Sequence, residues 1–597
     1  MKTSPFLRRS PLKRIITLAI LFGLFALLVS LPHTPLFSLK TSIDQAVYQY
    51  VGNRMLEGQV PYSDAWDHKQ PLVYFIYAAA SFLTAKSAWG IWLIEFLCLW
   101  ASGVLSYSLL VKFCPPIPSV IIVMVNLFAV NSFVGISNPE QLALPFYLLS
   151  LLFFYQFFRS KPDSKAAKLY GLGMGMTFAC CFFLKQSLIS VALAIGIYFV
   201  AYMILKKKWN LFVPLIYIGA GFLFVSAIIL SYFGIHHALQ DYWNAAFVFN
   251  FIYAGTGLVE RVQSVLDQME IISAIPPFIT AFGLWLGMLA GFTLTTLPEM
   301  LKGLRNRTAR ITLIACGAAI ILLLLIYQML TQDPSLGILQ TSGLILGLVV
   351  AVTGILATLF RKKIENLHFP TIDQLNQSLR SYHGLFEITL LLFPLVLFFI
   401  SISGEHYYYY NITFYPAVIL AFGITISSIR KTLTEKHAIL IFNISFIGMA
   451  MAFSFLPILA MVQQYKTRPE TELKEAIHYI TQTTSAEDRI YVWGMEPWIY
   501  NSTHRQAPTR YFYQIAAVNW DDYEEKFSVI DEIKGAFLEE PPRLFIVSDG
   551  IDLGRNERDC LINAEETRNQ NDLLAMVCQQ YTFDKVFGNL MVYKLKE

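Results

Sequence analysis

Apolar residues fill most of the chain in blocks of about 20, the length that spans a hydrocarbon layer roughly 30 Å thick. Such blocks lie near 14–32, 71–86, 88–111, 117–136, 141–158, 168–184, 187–205, 211–233, 271–298, 309–330, 338–360, 384–402, 411–428 and 437–461. Each predicts a membrane helix. The first block is longer than a signal-peptide core and has no small-residue cleavage site, so it is expected to stay attached. After Tyr465 the pattern changes. Residues 466–597 are charged, contain proline and hold no long apolar block, which predicts a separate soluble domain. Within it, 489–493, 544–547 and 590–593 read as strands rich in β-branched and aromatic residues, and 473–482 and 523–538 read as helices. The expected fold is a polytopic α-helical membrane domain, 1–465, followed by a small C-terminal α/β domain, 466–597.

Composition agrees. Of 597 residues, 55% are hydrophobic and 14% charged, with a mean hydropathy of +0.52. Soluble domains carry about 25% charged residues, so a soluble enzyme, a disordered chain and a nucleic-acid binder are excluded. The net charge of +4 predicts no polyanionic partner. Lys and Arg collect at the N-terminus and near 159–168, 206–208, 302–310, 361–363 and 430–436, whereas the intervening loops are poor in them and 234–270 has only Arg261. Cytoplasmic loops collect these residues. From residue 137 onward the alternation is strict, and it matches a cytoplasmic N-terminus if one early block does not cross. Block 71–86 is the first choice and 117–136 the second. Thirteen crossings then place 33–70, 137–140, 185–186, 234–270, 403–410 and the C-terminal domain on the external face, as expected for a protein of a bacterial inner membrane.

The chemistry is concentrated in the first external loop, 33–70. Ser42 and Gln45 form a capping-box pair that starts a helix running to about Leu56. Ile43, Val47, Tyr50, Val51 and Met55 fall on one face, which predicts a helix lying on the membrane surface. Asp44 sits in its first turn. A polar turn follows, with Asp64, Asp67, His68 and Lys69 within six residues. Each has a structural reading: Asp44 complements the helix dipole, Asp64 forms a turn, and Lys69 anchors at the interface. Together they place carboxylates and cations beside a lipid-filled space. A carboxylate can take a proton from an acceptor, and cations can hold a departing phosphate.

Asp44-Gln45-Ala46-Val47-Tyr48 and the element from Gly58 through Pro61-Tyr62, Asp67 and Lys69 to Leu72 resemble the first external loop of GT-C membrane glycosyltransferases. The branch is that of protein O-mannosyltransferases and lipid A aminoarabinose transferases. Further similar segments are Ser137 to Glu140, Phe183 to Gln186, and Glu405-His406-Tyr407 before Pro416. The resemblance implies a polyprenyl-phosphate sugar donor, an extracytoplasmic site and inversion at the anomeric carbon. It implies Asp44 as the catalytic base or acceptor-orienting carboxylate. It implies Lys69, His68 and Lys185 as donor-phosphate ligands. Asp64, Asp67, Glu140, His406 and Tyr407 are the implied cavity or acceptor residues. Structural readings stand beside these: Glu140 starts a helix after Pro139, Lys185 is an interface lysine, and Tyr407 to Tyr410 form an aromatic belt. The chain departs from the pattern at Gln45, where a second carboxylate is common, and at Gln70, where proline is. No tight metal site is expected; a weakly bound divalent cation is the one cofactor left open.

The partners expected are the polyprenyl-phosphate sugar, a lipid, glycan or protein acceptor, and membrane lipids, with no nucleic acid. The competing class is a polytopic transporter or lipid flippase. Transporters place ionisable residues within their helices, whereas here the polar clusters gather at one interface and the blocks are nearly free of ionisable residues, Glu95 and Glu387 being exceptions. A polymerase or ligase of lipid-linked glycans is a third reading. The Gly171, Gly173 and Gly175 cluster lies inside an apolar block and predicts close helix packing rather than a nucleotide site. Cys560 and Cys578 share the C-terminal domain and are able to pair in an oxidising compartment.

Overall fold

The structure is a computed structural model that describes residues 11–37, 41–133, 138–161, 164–255, 257–300, 382, 384–432, 471–514, 521–548, 553–555, 559–560 and 571–597. The expected blocks 309–330, 338–360 and 437–461 lie outside the described residues.

The membrane domain runs through α1 (Pro11–Ser30), α2 (Ile43–Met55), α3 (Leu72–Leu83), α4 (Trp89–Leu110), α5 (Pro116–Phe133), α6 (Pro139–Leu142), α7 (Leu144–Arg159), α8 (Lys165–Leu184), α9 (Ser190–Leu205) and α10 (Phe212–Ile235). It continues with α11 (Leu239–Trp243), a π-helical stretch (Asn244–Phe249), α12 (Asn250–Tyr253), α13 (Leu258–Ala274), α14 (Pro276–Met300), α15 (Leu385–Ser401), a 3-10 stretch (Tyr408–Phe414) and α16 (Tyr415–Thr432). Among the described residues six helical segments are long and apolar enough to cross a membrane, or seven if the bent α13–α14 pair is one span. Helix α3 has 12 residues. At 1.5 Å per residue it extends about 18 Å, short of the hydrocarbon thickness.

Three sequence expectations change here. Block 271–298 is interrupted: the chain bends by 111° between α13 and α14 around Ile275, where Pro276 and Pro277 cannot continue the α13 hydrogen bonding. The stretch 234–270, expected as a loop, is mostly helical. Helix α2 does not lie on a bilayer surface. All of its residues from Gln45 to Arg54 are buried, because α3 covers one side and the C-terminal domain the other. The capping box is present: Ser42 Oγ accepts from the Gln45 N–H, and the Gln45 side chain accepts from the Ser42 N–H.

The glycine cluster does what its spacing predicts. Helices α8 and α10 approach so closely that a Cβ on Gly175 would sit 1.9 Å from the Ile218 carbonyl oxygen, and one on Gly221 2.1 Å from that of Leu172. Only glycine permits that approach.

The C-terminal domain contains α17 (Thr471–Thr483), β1 (Ile490–Trp493), α18 (Trp498–Thr503), α19 (Asp521–Phe527), α20 (Val529–Glu539), β2 (Leu544–Val547), α21 (Asn571–Gln580), β3 (Tyr581–Phe587) and β4 (Leu590–Leu595). The strand order is β1-β2-β4-β3. β1 and β2 run parallel, with Ile490 opposite Leu544; β4 is antiparallel to both β2 and β3. β1 and β2 are buried at every position, hence their plain apolar signal. β3 has an exposed middle, Thr582 to Val586, and its polar residues hid it from the sequence. The helix expected over 523–538 is split at Ser528, whose φ of 49° leaves the helical region. Cys560 and Cys578 form a disulfide.

Candidate functional site

The loop 33–70 is built around buried aromatic rings. Gly58 takes a φ of 87° just after α2, a conformation that glycine adopts without strain. The chain then turns: Val60 N–H donates to Asp64 Oδ2 at 2.6 Å and Tyr62 N–H to the Ala65 carbonyl at 2.8 Å. Asp64 thus shapes the turn. It is exposed and faces a groove shared with Arg489, Arg510 and Glu532 of the C-terminal domain, away from the cavity described below.

The next three residues are coupled. Asp67 is buried; its Oδ2 accepts from Tyr74 Oη at 2.7 Å and its Oδ1 from Tyr513 Oη at 2.6 Å. His68 Nδ1 lies 3.3 Å from Asp67 Oδ1, and Lys69 Nζ lies 2.7 Å from His68 Nε2. Burial pushes the Asp67 carboxyl up, but the His68 imidazole, the Lys69 ammonium and the Tyr513 hydroxyl outweigh it and hold it below the usual carboxylate range. Burial, and then the neighbouring Lys69 charge, lower His68, so the imidazole is neutral at pH 7. Phe249 and Tyr253 pack against its ring, with centroids 4.9 and 5.9 Å away.

A second group converges from other elements. Lys185, where α8 ends, donates to Glu140 Oε1 at 2.7 Å, and its Nζ sits 3.6 Å from the centre of the Tyr410 ring. Glu140 is 2% exposed, and its Oε2 has no hydrogen-bond partner among the described residues. Tyr409 Oη donates to Asp44 Oδ2 at 3.0 Å. Tyr409 and Tyr410 meet edge to face at 5.1 Å. Asp44 and Lys185 therefore grip adjacent tyrosines.

A cavity of about 550 Å³ brings His68, Lys69, Lys185 and Arg261 into one wall system with Phe182, Phe247, Phe251, Phe399 and Ile400. Arg261 donates from Nη2 to the Ala254 carbonyl at 3.0 Å, while its Nε is buried without a hydrogen-bond partner among the described residues. Three cationic side chains in a mostly apolar hollow suit an anionic headgroup with a long apolar tail. Unsatisfied buried N–H groups are costly, and phosphate oxygens satisfy them. Among the described residues no group of three or more His, Cys, Asp or Glu side chains is placed to hold a metal ion.

The cavity does not include every expected residue. His406 is 59% exposed, with Nδ1 3.4 Å from Asp267 Oδ2. The Ser264 hydroxyl holds the neighbouring Glu405 carbonyl against α13 at 2.7 Å, which keeps His406 on the outer surface. Tyr407 is 44% exposed and stacks on Tyr409 at 5.5 Å; Tyr410 takes its place in the wall. Asp67 and Glu140 lie behind the wall, against His68 and Lys185. Asp44 is half-buried beside Tyr409 and outside the cavity lining. The sequence reading missed Tyr409 and Tyr410, taken with their neighbours as a belt, and Tyr513. It counted Arg261 as a loop charge only, although a lone Arg in a long stretch otherwise free of Lys and Arg was a usable signal.

Among solved structures, the chain is similar to ArnT from Cupriavidus metallidurans in the apo state, with a TM-score of 0.44 and 11% identity over 98% of this chain and 98% of that one. It is also similar to the archaeal oligosaccharyltransferase AglB from Archaeoglobus fulgidus in complex with an inhibitory peptide and a dolichol-phosphate: TM-score 0.48, 12% identity, over 98% of this chain and 75% of that one. ArnT bound to undecaprenyl phosphate gives a TM-score of 0.38 at 12% identity, with 97% of each chain covered. No curated protein matches the sequence. Residues 6–410, more than half of the chain, match the family described as "Putative competence-induced protein Ccs4 N-terminal domain", and the chain belongs to that family.

Proposed function

We propose that the protein is an inverting glycosyltransferase that moves a sugar from a polyprenyl-phosphate donor to an extracytoplasmic lipid, glycan or protein acceptor. The observation that carries this reading is the convergence of Lys69, Lys185 and Arg261 on one mostly apolar cavity. In the proposed reaction the acceptor hydroxyl attacks the anomeric carbon while the carbon–oxygen bond to the phosphate breaks. The phosphate departs with the bonding electron pair, and the three cations stabilise the charge that grows on it. Asp44 accepts the acceptor proton. Its position beyond the Tyr409–Tyr410 pair from Lys185 fits a direct displacement, in which base and leaving group address opposite sides of the sugar. The external placement is supported by the Cys560–Cys578 disulfide, since such bonds persist in oxidising compartments, and by the cation-poor loops on the same side.

The test uses purified full-length protein with radiolabelled polyprenyl-phosphate sugars, read as release of sugar from the lipid. Native protein should turn over. Asp44→Asn should lose about 100-fold or more of the rate while still binding the lipid. Undiminished turnover by that variant removes Asp44 from the mechanism.

A further inference from the structure

Lys69, His68 and Asp67 are consecutive, yet their side chains form a line rather than pointing apart. An ammonium has three N–H donors and no acceptor. The 2.7 Å contact between Lys69 Nζ and His68 Nε2 therefore requires Nε2 to be the accepting nitrogen. A neutral imidazole has one accepting and one protonated nitrogen, so the proton lies on Nδ1, which is buried without a hydrogen-bond partner among the described residues and has the Asp67 Oδ1 charge 3.3 Å away to favour that protonated position. The neutral state follows from burial and from the adjacent ammonium.

Every member of the line is held in place. The His68 ring packs against Phe249 and Tyr253, and its backbone carbonyl accepts from Asn250 Nδ2 at 2.6 Å. The Lys69 carbonyl accepts from Tyr62 Oη at 2.8 Å. The Asp67 carboxylate is fixed by Tyr74 on one oxygen and by Tyr513, from the other domain, on the other. With one donor committed to His68, Lys69 keeps two N–H groups for a ligand in the cavity that it lines.

We infer that Asp67 is a positioning residue: it fixes the His68 tautomer that aims the Lys69 ammonium at the donor phosphate, and Tyr513 ties that aim to the docked C-terminal domain. This rests on the reading of the cavity as a phosphate site. Asp67 does not touch the donor. If it is replaced by an amide, Nδ1 meets an NH₂ as readily as a carbonyl, the imidazole is free to place its proton on Nε2, and Lys69 loses its acceptor.

The test is a double-mutant cycle read as binding of undecaprenyl phosphate to the full-length protein in nanodiscs. Asp67→Asn should weaken binding about tenfold, an effect of the size seen when a partner that orients a ligating histidine is removed. His68→Gln has no tautomer and supplies the second background, its own affinity being the reference for that arm. Adding Asp67→Asn to His68→Gln should then cost little, because the group through which Asp67 acts is gone. A merely structural role for Asp67 would move melting temperature and binding equally in both backgrounds. An equal loss in both backgrounds, or native-like binding by Asp67→Asn alone, overturns the inference. Undiminished binding by Lys69→Ala overturns the cavity assignment itself, a distinguishable failure.

Discussion

The Tyr513 hydroxyl of the C-terminal domain donates to Asp67 Oδ1 in the first loop at 2.6 Å. Around it, Trp66 N–H donates to the Arg510 carbonyl at 2.9 Å, Trp66 Nε1 to Tyr523 Oη at 3.0 Å, and Asn501 Nδ2 to the Ala46 carbonyl at 2.8 Å. The C-terminal segment is thereby a wall of the same unit as the loop, and its removal would expose α2 and the Asp67 carboxylate.

Tyr513→Phe keeps the ring and deletes that donor. A hydrogen bond to a charged, buried group is worth about 1.5–3 kcal/mol. The variant should melt several degrees lower, and limited proteolysis of the full-length protein should accelerate. Unchanged melting and cleavage would show that the contact does not secure the interface.

Acid should open the same interface. The folded Asp67 carboxyl is held below its ordinary value, so its contribution is full above the unfolded pKa of about 3.9 and is lost as pH falls from there toward the folded value. Trp66 fluorescence should hold steady from pH 7 to about 5 and change below 4. In Asp67→Asn that low-pH step should shrink. A native step centred near pH 6 would assign the transition to another group.

Glu140 is 2% exposed and Lys185 18%, and they form one ion pair. Removing one partner of a buried pair costs about 3–5 kcal/mol, because the other charge remains buried and unpaired. Lys185→Met should therefore lower thermal stability sharply. Combining it with Glu140→Gln should recover much of that loss without recovering lipid binding. Recovery of both would confine Lys185 to a structural role.

Close approach of α8 and α10 predicts a contrast between neighbouring glycines. Gly175→Ala should destabilise by about 1–3 kcal/mol or more, since the new methyl meets the Ile218 backbone. Gly219→Ala, with open space around its Cβ position, should be near neutral. Equal melting temperatures for the two variants would contradict the packing described.

What was legible in the sequence follows from what each signal reports. The strands at Ile490–Trp493 and Leu544–Val547 are buried throughout, so apolar composition alone revealed them, whereas the half-exposed Tyr581–Phe587 strand did not stand out. The capping box at Ser42 is a local signal and was readable. The burial of α2 was not, because the partner that covers its second face lies more than 400 residues away, at Asn501. Lys69 and Lys185 were visible as cations beside apolar blocks. Their separate neighbours, Asp67 through His68 and Glu140 through a direct ion pair, depend on tertiary geometry. His406 shows the reverse: a motif position suggested the cavity, but the hydrogen bond from Ser264 to the adjacent carbonyl holds it outside.

The central claim is that this cavity receives the phosphate end of a polyprenyl lipid. A polyprenyl phosphate with a photoactivatable group in its first isoprene unit, cross-linked to the full-length protein and mapped by mass spectrometry, addresses that claim directly. Label is expected on Phe182, Phe251 and Phe399, and Lys69→Ala and Arg261→Ala should each reduce it about tenfold, the loss of one charged hydrogen bond. Label confined to the exposed face of α10, with equal yield in both variants, would contradict the account.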